Sequence, residues 1–311
     1  MTPVFEVLQP GVLTTIQDLG RSGWQRHGLG TAGAMDRFSL QVANLLVGNP
    51  RGEAALEIGL GGLRLRCLKD WVVAIAGADL GAGLPLWKSL RVRAGEELFF
   101  KSALRGAWAY LALAGGVEAR SVLGSKSTCL RAKLGGFGGR AAVKGDLLPA
   151  GSPGPMAREG RAIVPSEIPD YAEPVVVSVI LGPQDDLFQE ASLQTFLNAS
   201  FDVTPQSNRM GYRLAGPALR HRGEADVLSD AVATGSIQVP ADGQPIVLMA
   251  DRQTTGGYAK IATVASADLP AMAQLRPGAK VSFRSVTVDE AQDRAVEVEK
   301  TLSTIQSGCG V

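Results

Sequence analysis

A chain of 311 residues that balances 31 basic against 30 acidic side chains, at 45% apolar and 20% charged, is a soluble globular protein with room for two domains. That balance, with no basic run of five or more, leaves no electrostatic footprint for nucleic acid, and no stretch approaches the roughly 18 apolar residues of a membrane span. Two histidines, His27 and His221, and three scattered cysteines, Cys67, Cys129 and Cys309, offer neither metal-ligand spacing nor a disulfide framework, so no metal site is expected and a reducing, cytoplasmic setting fits.

The amino terminus, Met1 to Pro10, carries Glu6 and no apolar core of signal-peptide length. High glycine, 38 residues, with few aromatics points to many short strands joined by tight turns, a mainly β chain with a few helices. In chain order the first helix is predicted over Met35 to Val47, where Met35, Phe38, Val42, Leu45 and Leu46 recur at helical spacing and Gly48-Asn49-Pro50 ends it. Strands are predicted at 55–58, 63–67, 71–76, 97–100 and 107–113. Six prolines between Pro149 and Pro174 interrupt regular structure, which divides the chain into a domain over 1–150, a linker over 151–174 and a domain over 175–311. Beyond it, strands are predicted at 175–181, 236–239, 246–249, 258–264 and 280–283, and helices from Gln184 to Asn198 and near Asp268 to Leu275. Thr287 and Glu290 form a capping-box pattern that starts the last helix.

Several motifs match by letter and fail in context. Gly28-Leu29-Gly30-Thr31-Ala32-Gly33 lacks the buried strand that a dinucleotide fingerprint requires, so what remains is a loop where backbone amides with Arg21, Arg26 and Arg37 can meet an anion. No phosphate-loop pattern and no Gly-x-Ser-x-Gly occur. Cys129 reads better as a small buried hydrophobe than as a nucleophile, Asp185-Asp186 as helix capping, and the glycines of 134–140 as a close backbone crossing.

Two segments carry more polar chemistry than structure alone asks for. The octet Asp251-Arg252-Gln253-Thr254-Thr255-Gly256-Gly257-Tyr258 lies between two apolar runs and is predicted to form the tip of a hairpin turning on its glycines. A turn needs only the glycines and a neighbouring Asp, so Arg252, Gln253, Thr254, Thr255 and Tyr258 are candidate binding groups; a solvated tip is the other reading. Ser207-Asn208-Arg209-Met210-Gly211-Tyr212-Arg213-Leu214 sets an amide and two arginines about a glycine, a set able to hold a carboxylate, an imide or a urea-like group, or else a surface turn with a salt bridge.

These segments resemble one family, called variously the C subunit of bacterial 5-oxoprolinase, allophanate hydrolase subunit 2 and the biotin-dependent carboxyltransferase family, and including an antagonist of a sporulation-kinase inhibitor. The resemblance runs through Gln9-Pro10-Gly11, 15–21, 33–36, Ala43-Asn44, Leu56-Glu57, 110–116, 123–128, 207–214 and 235–240 to the octet, and so covers nearly the whole chain. It implies two cyclophilin-like β-barrel domains. It further implies work with two partners, a B subunit of the allophanate hydrolase subunit 1 family and a lactam-utilisation type A subunit, in the ATP-dependent opening of 5-oxoproline to L-glutamate. The ATP site would lie on this chain or on another. Two alternatives come with it: a carboxyltransferase-like component acting on urea or another amide with biotin, and a non-catalytic module that antagonises a histidine-kinase inhibitor. Biotin-carrier and biotin carboxylase features are missing from this sequence, so it does not perform biotin chemistry alone. By the same resemblance Asn208 is the substrate amide contact, Arg209 and Arg252 orient anionic groups, Tyr258 donates a hydrogen bond or forms a wall, and Asp36 and Asp251 are the acid-base candidates.

Overall fold

The structure is a computed structural model and describes residues 2–311. The chain divides into two compact units, one of residues 2–22, Ala32–Asp170 and Glu299–Val311, the other of Gly23–Thr31 and Tyr171–Val298. The passage between them at Asp170 and Tyr171 falls inside the proline-rich stretch, most of which, 151–170, goes with the first unit.

The first unit contains β1 (Thr2–Pro10), β2 (Leu13–Gln17), α1 (Arg37–Leu46), β3 (Ala55–Gly59), β4 (Leu63–Cys67), β5 (Trp71–Asp79), β6 (Lys88–Val92), β7 (Glu97–Phe100), β8 (Arg105–Leu113) and β9 (Leu147–Ala150). They form a four-stranded sheet in the order β7-β4-β1-β9 and a five-stranded sheet in the order β2-β3-β8-β5-β6. In β4 the alternation is visible in the letters: Leu63, Leu65 and Cys67 are buried, while Arg64 and Arg66 face out and meet Glu97 of β7 at 3.0 and 3.5 Å. In β5 every residue from Trp71 to Ala78 is buried, which is why its sequence is an unbroken apolar run rather than an alternating one. The glycine stretch 134–140 is a close crossing, since a Cβ on Gly135 or Gly139 would stand 2.1 Å from the Ser127 carbonyl oxygen and 1.9 Å from the Lys133 carbonyl carbon.

The second unit contains β10 (Val175–Leu181), α2 (Glu190–Asn198), β11 (Ser200–Val203), β12 (Gly211–Ala215), β13 (Asp226–Ala231), β14 (Ser236–Gln238), β15 (Ile246–Leu248), β16 (Thr255–Tyr258), β17 (Lys260–Val264), α3 (Leu269–Ala273), β18 (Lys280–Ser285) and the first part of α4 (Val288–Cys309). Seven of these strands close a barrel in the order β10-β17-β14-β15-β12-β11-β18, completed by the parallel pairing of β10 with β18. Phe196 of α2, Phe201 of β11 and Phe283 of β18 cluster in its core with ring centroids 4.6 to 6.3 Å apart. Strands β13 and β16 form a separate two-stranded sheet.

The mainly β expectation holds, and the capping box starts α4 as predicted, with Thr287 N–H donating to Glu290 at 2.7 Å and Glu290 N–H donating to Thr287 Oγ1 at 3.2 Å. The predicted hairpin through the octet is corrected. Strand β14 lies between β15 and β17, so the octet joins strands that do not pair, and its second half is itself β16. Gly256 and Gly257 do not take positive φ and turn nothing. The helix expected from Gln184 begins only at Glu190; Asp185 and Asp186 open a short 3-10 turn instead of capping it.

A polar staple holds the last helix to the second unit. Asp268 accepts from the Ser178 N–H at 2.7 Å and is bound on both carboxylate oxygens by Arg294 of α4, which also donates to Ser178 Oγ at 2.6 Å. Burial opposes ionisation of Asp268, but Arg294 and Ser178 together hold its carboxyl below the ordinary value of 3.8. A depressed folded-state value means that this stabilisation is present at neutral pH and lost as pH falls through that value. Arg294→Ala is therefore expected to lower the unfolding free energy by about 2 kcal/mol at pH 7, read by urea titration, and the deficit should shrink below the usual carboxylate range. A deficit of the same size in acid would show that the pair does not carry it.

Candidate functional site

In the second unit the two segments distinguished by their polar content are laid side by side. Asn208 and Gly211 exchange both backbone hydrogen bonds, at 3.1 and 3.2 Å, and the Asn208 side-chain carbonyl accepts from the Met210 N–H at 2.8 Å, which fixes a tight reversal entering β12. The Met210 carbonyl then accepts from Met249 N–H at 3.0 Å and the Arg209 carbonyl from Asp251 N–H at 2.8 Å. The side chains repeat the contact: Arg209 Nε and Nη2 grip Asp251 at 2.8 and 3.0 Å, a bidentate pair whose side chains are only 3% and 9% exposed. Arg209 is thus engaged by a carboxylate of its own chain, and Asn208 spends its carbonyl inside its own turn while remaining exposed.

Arg252, the next residue, is different. It is 8% exposed, donates from Nε to the Val232 carbonyl at 3.2 Å and from Nη1 to Thr31 Oγ1 at 3.4 Å, and has no carboxylate partner among the described residues. Burial pushes its guanidinium below the ordinary range, with no acidic group acting against that effect. Thr31 belongs to the segment Gly23–Thr31 that groups with this unit, so part of the glycine loop expected to meet an anion does approach the octet. Gly30 is part of this approach: a Cβ there would stand 3.2 Å from the Arg252 carbonyl.

The rest of the octet runs along β13. The Thr254 carbonyl accepts from Val232 N–H at 3.2 Å, Thr255 pairs with Ala231, and Tyr258 pairs with Asp226 and is 40% exposed. Gln253 donates to Gln238 Oε1 at 3.4 Å, and buried Gln238 in turn donates to the Tyr258 carbonyl at 3.1 Å. Gly256 makes room for that amide, because a Cβ there would lie 2.5 Å from Gln238 Nε2. Lys260 is buried at the start of β17 and donates to Asp230 at 2.8 Å and to the Ala231 carbonyl at 3.2 Å. Lys260 and Arg252 therefore reach adjacent carbonyls at the end of β13.

Asp36 lies in the first unit and is fully buried. It caps α1, its two oxygens accepting from Ser39 N–H at 2.9 Å and Ser39 Oγ–H at 2.6 Å. Tyr110 accepts from the Asp36 N–H at 2.8 Å and donates to Glu57 at 2.7 Å; burial, with Glu57 and Asp36 nearby, raises its pKa well above the usual value and keeps the phenol protonated. Among the described residues no cluster of three or more His, Cys, Asp or Glu is arranged to hold a metal ion, and no helix is long and apolar enough to cross a membrane.

With this geometry, a family profile described as "Carboxyltransferase domain, subdomain A and B" matches residues 27–285. The chain is 37% identical over 293 residues to the C subunit of 5-oxoprolinase from Escherichia coli, covering 93% of each, and 37% identical over 294 residues to its namesake in Haemophilus influenzae, again 93% of each. The chain belongs to the carboxyltransferase subdomain A and B family. Urea amidolyase of Lachancea kluyveri is 30% identical over 330 residues, 98% of this chain but 18% of the larger protein. The crystal structure of K. lactis urea amidolyase superposes with a TM-score of 0.90 at 30% identity, covering 98% of this chain, which spans 20% of that one.

In this family member Arg252 and Gln253 of the octet lie with Gln238, Lys260 and Thr31, which the sequence alone does not single out as binding groups. Lys260 has a signal, a lysine inside an apolar strand run. The arrangement offers a buried guanidinium with no carboxylate partner among the described residues, two carboxamides, Gln238 and Gln253, and a hydroxyl, groups whose chemistry suits an anionic oxygen and an amide.

The two arginines should separate in stability. Arg209→Met leaves Asp251 buried without its partner and is expected to cost about 3–5 kcal/mol, whereas Arg252→Met removes a charge with no counter-charge and should change stability by less than about 1 kcal/mol. Urea denaturation of both variants decides it; a large loss in the second would make Arg252 a structural residue.

Proposed function

We propose that this chain is a cytoplasmic component of an ATP-dependent 5-oxoprolinase, opening the lactam of 5-oxoproline to L-glutamate together with a B subunit and a lactam-utilisation type A subunit. The observation that carries the proposal is the end-to-end likeness to the C subunit of 5-oxoprolinase, 93% of both chains at 37% identity. The site chemistry supports it. A 5-oxoproline molecule presents one carboxylate and one ring amide, and Arg252 with Gln238 and Gln253 supplies a cation and amide donors and acceptors within one short stretch of β13, β14 and β16. Asn208, Thr254, Thr255 and Tyr258 line the approach in this reading. Asp251, held by Arg209, and Asp36, held by Ser39, each act through the partner they hold, so acid-base work falls to the other proteins of the complex or to water. The pocket is completed by the B subunit, and ATP is used by the complex at a site that this chain need not contain.

The second reading, a carboxyltransferase-like component acting on urea or another amide with biotin, is favoured by the TM-score of 0.90 to urea amidolyase. The two readings differ in what turnover needs. Reconstitution of this chain with its cognate partners should give glutamate and ADP in the presence of 5-oxoproline without biotin or bicarbonate. Arg252→Ala should lower that turnover by at least about 100-fold with the fold intact. Turnover that requires biotin and bicarbonate would move the assignment to the second reading, and full activity of Arg252→Ala would remove the octet from the site.

A further inference from the structure

The two carboxamides of the second unit are not equivalent, because a backbone carbonyl fixes which way each one points. Gln238 ends β14, where its backbone is paired with Ile246 of β15 and Lys260 of β17, and the residue is buried. Its side chain passes over Gly256, where a Cβ would lie 2.5 Å from Nε2. Nε2 donates to the Tyr258 carbonyl at 3.1 Å, and a carbonyl only accepts. The opposite orientation of this amide would set two oxygens against each other.

Gln238 Oε1 is thereby the atom presented to Gln253, and it too only accepts. Gln253 answers with its nitrogen, Nε2 donating to that oxygen at 3.4 Å, so the orientation of one amide is handed to the next. What is left over is Gln253 Oε1. Gln253 is half-buried, this oxygen takes no hydrogen bond from the described residues, and it is not among the buried side-chain atoms sealed from solvent without a partner. An oxygen so placed accepts a donor from outside and repels a second acceptor.

We propose that Gln253 is the group by which this site tells a ring amide from a ring ester, its Oε1 accepting the amide N–H, and that Gln238 is the positioning residue that sets this polarity. Given the oxoprolinase reading, on which this assignment rests, the substrate class narrows to compounds with an N–H beside the carbonyl. A lactone of the same shape offers an oxygen where the lactam offers its N–H. It therefore loses one hydrogen bond and leaves Gln253 Oε1 against another acceptor.

Calorimetric titration of the complex reconstituted with its cognate partners, without ATP so that nothing turns over, compares 5-oxoproline with the lactone in which oxygen replaces the ring N–H. The parent complex is expected to bind the lactam at least about tenfold more tightly. In Gln253→Leu only the lactam loses a bond, so the preference should fall below about threefold. In Gln238→Leu the Gln253 amide is no longer oriented, and the preference should fall likewise although Gln253 is present. The ratio is the decisive readout, since a purely structural defect weakens both ligands by the same factor and leaves it unchanged. Gln253, only half-buried, provides the test should Gln238→Leu fail to fold. Equal affinity of the parent for both ligands, or a parent-like ratio in Gln253→Leu, would overturn the role of Gln253 while leaving the oxoprolinase reading standing. A parent-like ratio in a folded Gln238→Leu would overturn the positioning role. Binding of neither ligand by the parent complex would remove the oxoprolinase reading and this assignment with it.

Discussion

The bidentate pair of Arg209 with Asp251 is the interaction on which the site of the second unit depends. It joins two segments 42 positions apart, and the backbone bonds from Asp251 to Arg209 and from Met249 to Met210 run beside it. A buried ion pair of this kind adds little net stability over apolar packing, but losing one member strands the other charge, so its main effect is to allow a single arrangement of the two loops. With Asp251 locked, the chain direction at Arg252 is set, and its guanidinium points to the Val232 carbonyl rather than to a carboxylate. Two arginines that the sequence presents as equivalent anion binders thereby take opposite fates, one neutralised and one left open.

The first unit uses its motifs in a comparable way. Residues 15–21 and 123–128, more than a hundred positions apart, are separate pieces in the sequence and partners in space. Thr128 N–H donates to the Ile16 carbonyl at 2.9 Å, Gln17 Nε2 donates to the Thr128 carbonyl at 3.1 Å, and Asp18 gathers the hydroxyls of Ser125 and Ser127 and the Lys126 N–H. Asp18 thus satisfies buried donors that a loop at this depth would otherwise leave unpaired. Glu57 and Tyr110 do the same at the entrance to α1, so that part of the polar content of the family motifs is accounted for by holding loops against sheets.

What the letters reveal follows from whether the signal is local. Strands β3, β4, β5, β7, β8 and β10 have apolar patterns that stand without knowledge of a partner, and α1 has a stripe and a stop. Strand β13, Asp-Val-Leu-Ser-Asp-Ala, is mostly exposed and shows no such pattern; it is a strand because β16 pairs with it. The octet reads as a hairpin because two strands adjacent in sequence usually pair, whereas this barrel inserts β14 between them. Its glycines follow the same lesson: what looks like turn chemistry is space for the Gln238 side chain, which arrives from another strand. Arg252 is legible because it exceeds local need, while Gln238 and Lys260 are hidden inside strand patterns whose burial only the tertiary fold determines.

Arg252 shares a physical condition with Arg21 and Arg161 of the first unit: a guanidinium shielded from water, with no carboxylate partner among the described residues. Folding alone gains nothing from that condition, since an apolar side chain of similar volume would fill the same space without the desolvation cost. An anion that binds the folded chain and not the unfolded one offsets the cost and adds its own stabilisation in proportion to the logarithm of its concentration over its dissociation constant. The same reasoning separates these residues from Arg209 and Arg294, whose carboxylates lie within the chain and whose contribution is complete without a ligand. Uncompensated burial, rather than arginine content or motif membership, is therefore the observation on which the proposed binding role of Arg252 rests.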